Sequence, residues 1–154
     1  MSLKRQAPSL RQLLEAERHG VLATLSVRQA GWPFASATPF AIDAKGRPLL
    51  LLSELAEHTR NLRADPRGSL LVQDSGARED PQAGARVTLL GTLAPTSDAD
   101  ASARYIDRHP RSAEYLALGD FHVWVLEPEH ARLVNGFGDM GWLEGDRLRT
   151  ELEA

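Results

Sequence analysis

The segment LLLLSELAEHTRN at residues 49–61 holds the residues that are best suited to chemistry. Its leucine run predicts a strand, and Ser53, a common N-cap residue, predicts a helix that starts there and ends before Pro66. Unpaired backbone N–H groups, a hydroxyl and the positive end of the helix dipole then converge at one point. Thr59 and Arg60 add a second hydroxyl and a guanidinium. Such a donor-rich patch suits a phosphate oxygen.

The same junction also has a purely structural interpretation. In that interpretation Ser53 only caps the helix, Thr59 fills the apolar face of the helix, and Arg60 is solvated. Serines that cap helices without binding any ligand are common. The residues of the junction by themselves leave both interpretations open.

Metal catalysis and serine hydrolysis find little support in the sequence. The five histidines, at 19, 58, 109, 122 and 130, contain no pair at the i, i+4 spacing of a helical zinc site, and there is no cysteine to complete one. The nucleophile elbow G-x-S-x-G does not occur. Gly136, Gly138 and Gly141 spell G-x-G-x-x-G, but no long helix follows to receive a pyrophosphate. We therefore expect neither a metal centre nor a dinucleotide fingerprint.

The composition is that of an ordinary globular protein. Hydrophobic residues make up 42% and charged residues 25% of the 154 residues, and a chain of this length forms its own core. The net charge of −3 argues against a nucleic-acid partner. The lack of cysteine fits the cytoplasm, and no apolar run approaches the ~20 residues of a membrane span. We expect a cytoplasmic protein with one domain at residues 1–143 and a charged C-terminal tail at 144–154.

Hydrophobic periodicity predicts a mainly β fold with a few small helices. Ser9 and Gln12 form a capping box for a first helix over 10–19. The strands that follow are joined by turns too short for parallel crossovers, which predicts an antiparallel sheet. These strands are expected at 21–27, 34–42, 48–52, 69–73 and 85–93, followed by helices at 97–108 and 112–118 and a final pair, FHVWVLEP and ARLVNGF. Six or seven strands indicate an antiparallel barrel with helices at its ends.

The sequence context of two tryptophans predicts different environments for their side chains. Trp124 lies between Val123 and Val125 in a predicted strand, so we expect it in the core. Trp142 lies beyond the last predicted strand, among glycines and charged residues. A large aromatic side chain in such a position usually covers something, and the candidates are the protein's own barrel, a partner subunit and a flat ligand.

Several ordered motifs resemble the split-barrel flavoproteins related to pyridoxamine 5'-phosphate oxidase. They are GVLATLS, GWPFASATPFAIDAKGRPLLLLSELAEHTRN, GARVTLLGTLAP and FHVWVLEPEHARLVNGFG. The resemblance extends from about residue 13 to residue 142 and is greatest to the branch of HugZ-type haem-utilisation proteins. It implies a six-stranded antiparallel split barrel, a homodimer, and FMN bound in clefts at the dimer interface.

The resemblance also implies which residues hold the flavin. In the family, residues of the second strand contact the flavin, and here that stretch is SATPF. The phosphate is held at the strand-to-helix junction, which here starts at Ser53. Arg86 matches a position that faces the flavin, and an aromatic residue of the second subunit completes the site. The corresponding candidates are Ser36, Thr38 and Pro39, then Ser53, His58, Thr59 and Arg60, then Arg86, and finally Trp142.

The departures from the family pattern narrow the expected function. In the oxidase two consecutive basic residues hold the phosphate, whereas this chain has His58 and Thr59 there. The C-terminal arginine and histidine motif that binds pyridoxamine phosphate is not recognisable in WLEGDRLRTELEA, and haem-utilisation members typically have a further C-terminal domain. We therefore expect an FMN-dependent oxidoreductase that does not make vitamin B6. The alternatives are a non-catalytic flavin or haem binder for haem utilisation, storage or sensing, and a structural barrel with an empty cleft.

Overall fold

The computed structural model describes residues 7–77, 79–136 and 138–154. These residues form eight strands and five helices, which follow one another along the chain as α1 Leu10–Ala16, β1 His19–Leu25, β2 Pro33–Pro39, β3 Ala41–Ile42, β4 Pro48–Ser53, α2 Glu57–Ala64, β5 Arg67–Gln73, β6 Arg86–Pro95, α3 Ala99–Arg108, α4 Ser112–Ala117, β7 Phe121–Val134, β8 Met140–Glu144 and α5 Gly145–Glu153.

The strands form one antiparallel sheet in the order β2-β1-β5-β6-β7-β4-β3, and β8 pairs with β7. The sheet curls until β2 contacts β4, which gives a half-barrel. The mainly β class and the antiparallel barrel are therefore confirmed. The strand count differs from the six that the resemblance implied, because the two-residue β3 and the C-terminal β8 are strands of their own.

The first helix begins where its capping residues predict. The Ser9 side chain accepts from the backbone N–H of Gln12, and the Gln12 side chain accepts from the backbone N–H of Ser9. Both halves of the capping box are thus present. The helix ends at Ala16, earlier than expected, because His19 already belongs to β1 and pairs with Pro39.

The predicted final strand pair is a single strand, β7, of 14 residues. Its proline, Pro128, does not interrupt it, because the pairing with β6 shifts register between Leu90 and Gly91 and absorbs one extra residue. Gly91 is required at that point, since a Cβ atom there would collide with the backbone carbonyl of Glu127. The bulge allows β7 to bend while it stays paired.

The segment expected as a charged tail, residues 144–154, is helix α5, which directly follows strand β8. Leu148 and Leu152 of this helix are 1% and 3% exposed and belong to the main hydrophobic core. The Arg11 guanidinium of α1 donates to the backbone carbonyl of Leu152 at 2.8 Å, which fixes the two helices together. The segment is mostly charged, but its two leucines are four residues apart, a spacing that places both on one face of a helix.

The core lies between the concave side of the sheet and the helices α1, α2 and α5. Trp124 is 1% exposed in this core, as expected, and the Arg63 guanidinium lies 4.9 Å from the centre of its ring. A smaller cluster around Tyr105 of α3 packs on β4 and β7.

In the part of the chain that the structure describes, no helix is long and apolar enough to cross a membrane.

We predict that Leu148→Ala lowers the free energy of unfolding by about 2–5 kcal/mol, because it leaves a cavity in the main core. Urea unfolding followed by circular dichroism measures this change. Leu118→Ala is the matched control, since Leu118 is 67% exposed. If the two variants unfold at the same urea concentration, α5 is not part of the folded core.

Candidate functional site

The strand-to-helix junction differs from its prediction in where the helix starts. Helix α2 begins at Glu57 after Ala56, which makes no side-chain cap, so Ser53 does not cap it. The reason is that the backbone of Glu54 still donates to Asp120 at 2.8 Å, which extends the strand pairing by one residue. The Ser53 hydroxyl instead accepts from the N–H of Leu55 at 3.2 Å.

The structure brings four of the predicted residues together around the first turn of α2. The Thr59 hydroxyl, 1% exposed, donates to the backbone carbonyl of Ser53 at 2.5 Å. The Ser36 hydroxyl of β2 lies 3.3 Å from Nδ1 of His58. Burial lowers the pKa of His58, which favours the neutral imidazole at this position. The buried Thr59 hydroxyl is therefore committed to the backbone, and His58 supplies little positive charge.

The remaining residues of this group lie at its edges. The Arg60 side chain is 60% exposed and lies 3.9 Å from Glu57, in the first turn of the same helix. The Thr38 hydroxyl is buried and donates to the carbonyl of Pro39, whose strand position is paired with His19. The assignment of a phosphate to this junction stays a prediction.

Arg86 and Trp142 lie on the opposite side of the sheet from Ser36. Strand register aligns Ser36 with Leu22, Leu70 and Leu89, which are all buried in the core. Side chains alternate between the two sides of a sheet, so the rows that lie between the buried rows point away from the core. Arg86 and Trp142 belong to these intervening rows. Within one chain, the predicted residues therefore form two separate groups.

These intervening rows form what we call the outer face. It crosses β2, β1, β5, β6, β7 and β8, and its two central rows are Ala37, Val21, Leu71, Thr88, Arg132 and Trp142, then Ala35, Ala23, Ser69, Leu90, His130 and Glu144. Val21, Met140 and Trp142 on this face are 37%, 55% and 53% exposed. A sheet face with this much exposed apolar surface is typical of a binding surface.

Open clefts cover much of the outer face. The Trp142 cleft, of about 490 Å³, is lined by Leu90, His130, Trp142, Glu144 and Arg147. Leu90 also lines a second cleft of about 280 Å³ over β1 and β5. A third, of about 460 Å³, contains His19, Val21 and Leu71. The outer face thus offers three open clefts, two of which share Leu90.

Polar groups that the sequence patterns do not predict lie in the Trp142 cleft and beside it. Nδ1 of His130 lies 3.0 Å from a carboxylate oxygen of Glu144, and the Arg132 guanidinium lies 5.7 Å from the centre of the Trp142 ring. Residues 130 and 144 meet only because β7 and β8 pair, and the sequence patterns do not predict β8. Recognising MGWLE as a strand opposite EHARLV would have found this contact.

The Arg86 side chain forms hydrogen bonds to the loop that precedes β6. Its Nη1 donates to the carbonyl oxygens of Gln82 at 3.2 Å, Pro81 at 3.4 Å and Gly84 at 3.5 Å. The guanidinium therefore holds the polar loop against the start of β6. A role for Arg86 toward a flavin stays a prediction.

The residues that the structure describes contain no cluster of three or more histidine, cysteine, aspartate or glutamate side chains arranged to hold a metal ion.

A curled antiparallel sheet with small helices packed on its concave side defines a split-barrel protein. Residues 2–148 match the family model described as CREG, beta-barrel, and the chain belongs to that family. The resemblance to split-barrel proteins with a haem-utilisation branch is thereby confirmed.

Two relatives carry descriptive names. The chain is 35% identical over 149 residues to the chloroplastic non-canonical haem oxygenase HOZ of Arabidopsis thaliana, a match covering 94% of this chain and 45% of that protein. It is 28% identical over 152 residues to the haem oxygenase HutZ of Vibrio cholerae, covering 94% and 84%. The chain thus spans less than half the length of the Arabidopsis protein.

Solved structures agree with the fold. A haem-binding protein from Mycobacterium smegmatis superposes with a TM-score of 0.82 at 33% identity, over 96% of this chain and 62% of that one. A Clostridium acetobutylicum protein described as belonging to the pyridoxinephosphate oxidase family superposes with a TM-score of 0.66 at 16% identity, over 87% and 90%. The second similarity concerns the fold alone.

Proposed function

We propose that this chain binds haem, and that the haem lies on the outer face in the Trp142 cleft. The observation that carries the proposal is one open cleft in which Trp142 and Leu90 lie beside the guanidinium of Arg147, with Arg132 next to the Trp142 ring. Relatives at 35% and 33% identity that are named for haem oxygenation and haem binding support the choice of ligand. The two haem oxygenase names also support haem breakdown as the use of that binding.

The donor set of the cleft fits haem. A porphyrin is a broad apolar plane that stacks on an aromatic ring, and Trp142 with Leu90 offers such a floor. Its two propionates are carboxylates, for which the guanidiniums of Arg132 and Arg147 are suitable partners. Bound haem would supply redox chemistry at its iron. The protein's part is to hold the macrocycle and to leave one of its edges accessible.

FMN is the second candidate ligand, favoured by the first turn of α2. No side chain caps this helix, so its first N–H groups, together with the Ser53 hydroxyl and Arg60, suit a phosphate. The carboxylate of Glu57 and the lowered pKa of His58 reduce the positive charge there. Since Arg86 and Trp142 lie on the opposite side of the sheet, a complete FMN site would need a second copy of the chain.

We predict that haemin added to the purified chain gives a saturable Soret band, and that Trp142→Ala weakens haemin binding about tenfold through loss of aromatic stacking. Absorption titration measures both. Trp32→Ala is the matched control, because Trp32 is 72% exposed in the β1–β2 turn and does not line the cleft.

The outcomes of this titration separate the alternatives. A chain that does not bind haemin contradicts the proposed function, and equal losses in the two tryptophan variants move the haem away from the Trp142 cleft. Incubating the complex with ascorbate in air tests haem breakdown, which removes the Soret band progressively. A Soret band that persists supports storage or sensing instead.

For FMN we predict that Arg60→Ala weakens binding by about 1–3 kcal/mol, the loss of one charge-assisted hydrogen bond. Fluorescence quenching of added FMN measures the affinity. Arg104→Ala is the control, because Arg104 is an exposed arginine on α3, paired with Asp100. A wild-type chain that leaves FMN fluorescence unchanged contradicts the second candidate.

We also propose that the chain forms a homodimer through the outer face of β1, β2 and β5. Val21 lies at the centre of this region, between Ala37 and Leu71. Burying this apolar surface against a second copy would remove it from water and cover the second and third clefts.

We predict that Val21→Arg converts the dimer to a monomer, because a buried, unpaired guanidinium is costly. Sedimentation velocity measures the mass. Val27→Arg is the control, since Val27 is 54% exposed and follows the end of β1. A wild-type chain that sediments as a monomer contradicts the proposed dimer.

A further inference from the structure

We propose that His130 is the residue that would ligate the haem iron and that Glu144 would set how strongly its imidazole donates electrons. This inference rests on the proposed haem-binding function and names the residues that would act on the iron. It follows from one contact between β7 and β8 and from its position in the Trp142 cleft.

The antiparallel pairing of β7 and β8 places His130 directly opposite Glu144. Nδ1 of His130 lies 3.0 Å from Oε1 of Glu144. An ionised carboxylate only accepts hydrogen bonds, so Nδ1 donates in this contact and Nε2 is the nitrogen that would bind a metal. A metal-ligating histidine characteristically has this arrangement, with one nitrogen free for the metal and the other donating to a carboxylate.

The cleft presents this imidazole beside the surface on which a porphyrin would lie. His130 and Glu144 line the same cleft as Leu90, Trp142 and Arg147. The His130 side chain is about half exposed, so its free nitrogen is accessible without unfolding. Because haem brings four nitrogens of its own, one protein imidazole is sufficient to anchor the iron.

Three of the other histidines are less suited to this role. Nε2 of His109 lies 2.7 Å from the backbone carbonyl of Phe40 and donates to it. His58 faces Ser36 on the core side of the sheet. His122 is on β7 near Glu54, but about 25 Å along the strand from His130 at ~3.3 Å per residue.

His19 is the remaining competitor, because it also lies on the outer face. It lines the third cleft, with Val21 and Leu71, rather than the cleft that contains Trp142. No carboxylate contact of His19 is found among the described residues. His19→Ala therefore belongs in the experiment as the competing assignment.

The test compares haemin complexes of the full-length wild-type chain and four variants by absorption, electron paramagnetic resonance and resonance Raman spectroscopy. We expect His130→Ala to lose the spectrum of the imidazole-ligated iron, to bind haemin about tenfold or more weakly, and to recover the spectrum with added imidazole. His122→Ala is the matched control, since this histidine is on the same strand, is equally exposed and also faces a carboxylate. It should behave as the wild type.

Glu144→Gln tests the second half of the inference. The amide still contacts the imidazole but no longer draws charge from its proton, so electron donation to the iron falls. We expect ligation to persist, the iron–histidine stretching frequency of the ferrous complex to decrease, and the midpoint potential to rise. Unchanged values for both quantities overturn the role of Glu144.

The outcomes distinguish this inference from the proposed function. If the wild-type chain does not bind haemin, the proposed function fails and the inference fails with it. If the wild-type chain binds haemin and His130→Ala keeps the wild-type spectrum, only the inference is overturned. Loss of the imidazole-ligated spectrum in His19→Ala, but not in His130→Ala, overturns it in favour of His19. Far-ultraviolet circular dichroism verifies that each variant is folded.

Discussion

Strand β7 pairs along its length with three other strands, β4, β6 and β8, and the rest of the molecule depends on this pairing. Its first half lies beside β4, which leads into the junction at Ser53. Its second half lies beside β8, which carries Trp142. Because pairing with β6 continues on both sides of the bulge opposite Gly91, this one strand reaches both ends of the half-barrel. A proline in the interior of the strand is tolerated at the same irregularity.

Because side chains alternate between the two sides of the sheet, its core side and its outer face carry different kinds of binding groups. The core side is closed by α1, α2 and α5, and its polar groups, such as Thr59 and Asn61, are buried and hydrogen-bonded to neighbouring strands or turns. The outer face is open, with mostly apolar side chains over β2 and β1 and a mixture of apolar and charged side chains over β7 and β8. A ligand with a large flat apolar body fits the outer face, whereas a phosphate fits only the helix start on the core side.

Local signals in the sequence predict the elements well, and long-range pairing explains the misses. The capping box at Ser9 and Gln12 and the buried strand around Trp124 depend on neighbours a few residues away, and both predictions are correct. The helix start at Ser53 is wrong because the N–H of Glu54 donates to the carbonyl of Asp120, far along the chain, and is therefore not part of a first helical turn. The contact of His130 with Glu144 was missed because it requires the β7–β8 hairpin.

Net charge proved a poor guide to the charge of the outer face. The whole chain carries −3, yet Arg86, Arg132 and Arg147 all lie along this face or line its clefts. Among the described residues, none of these three takes part in a side-chain ion pair, whereas Arg67 at the far edge is paired with Asp65. Guanidiniums without carboxylate partners beside an apolar floor favour an anionic ligand with a flat body, because such a ligand satisfies both features at once. A neutral aromatic ligand would leave Arg132 and Arg147 without a carboxylate partner, and a simple phosphate would not cover the apolar surface of Leu90 and Trp142.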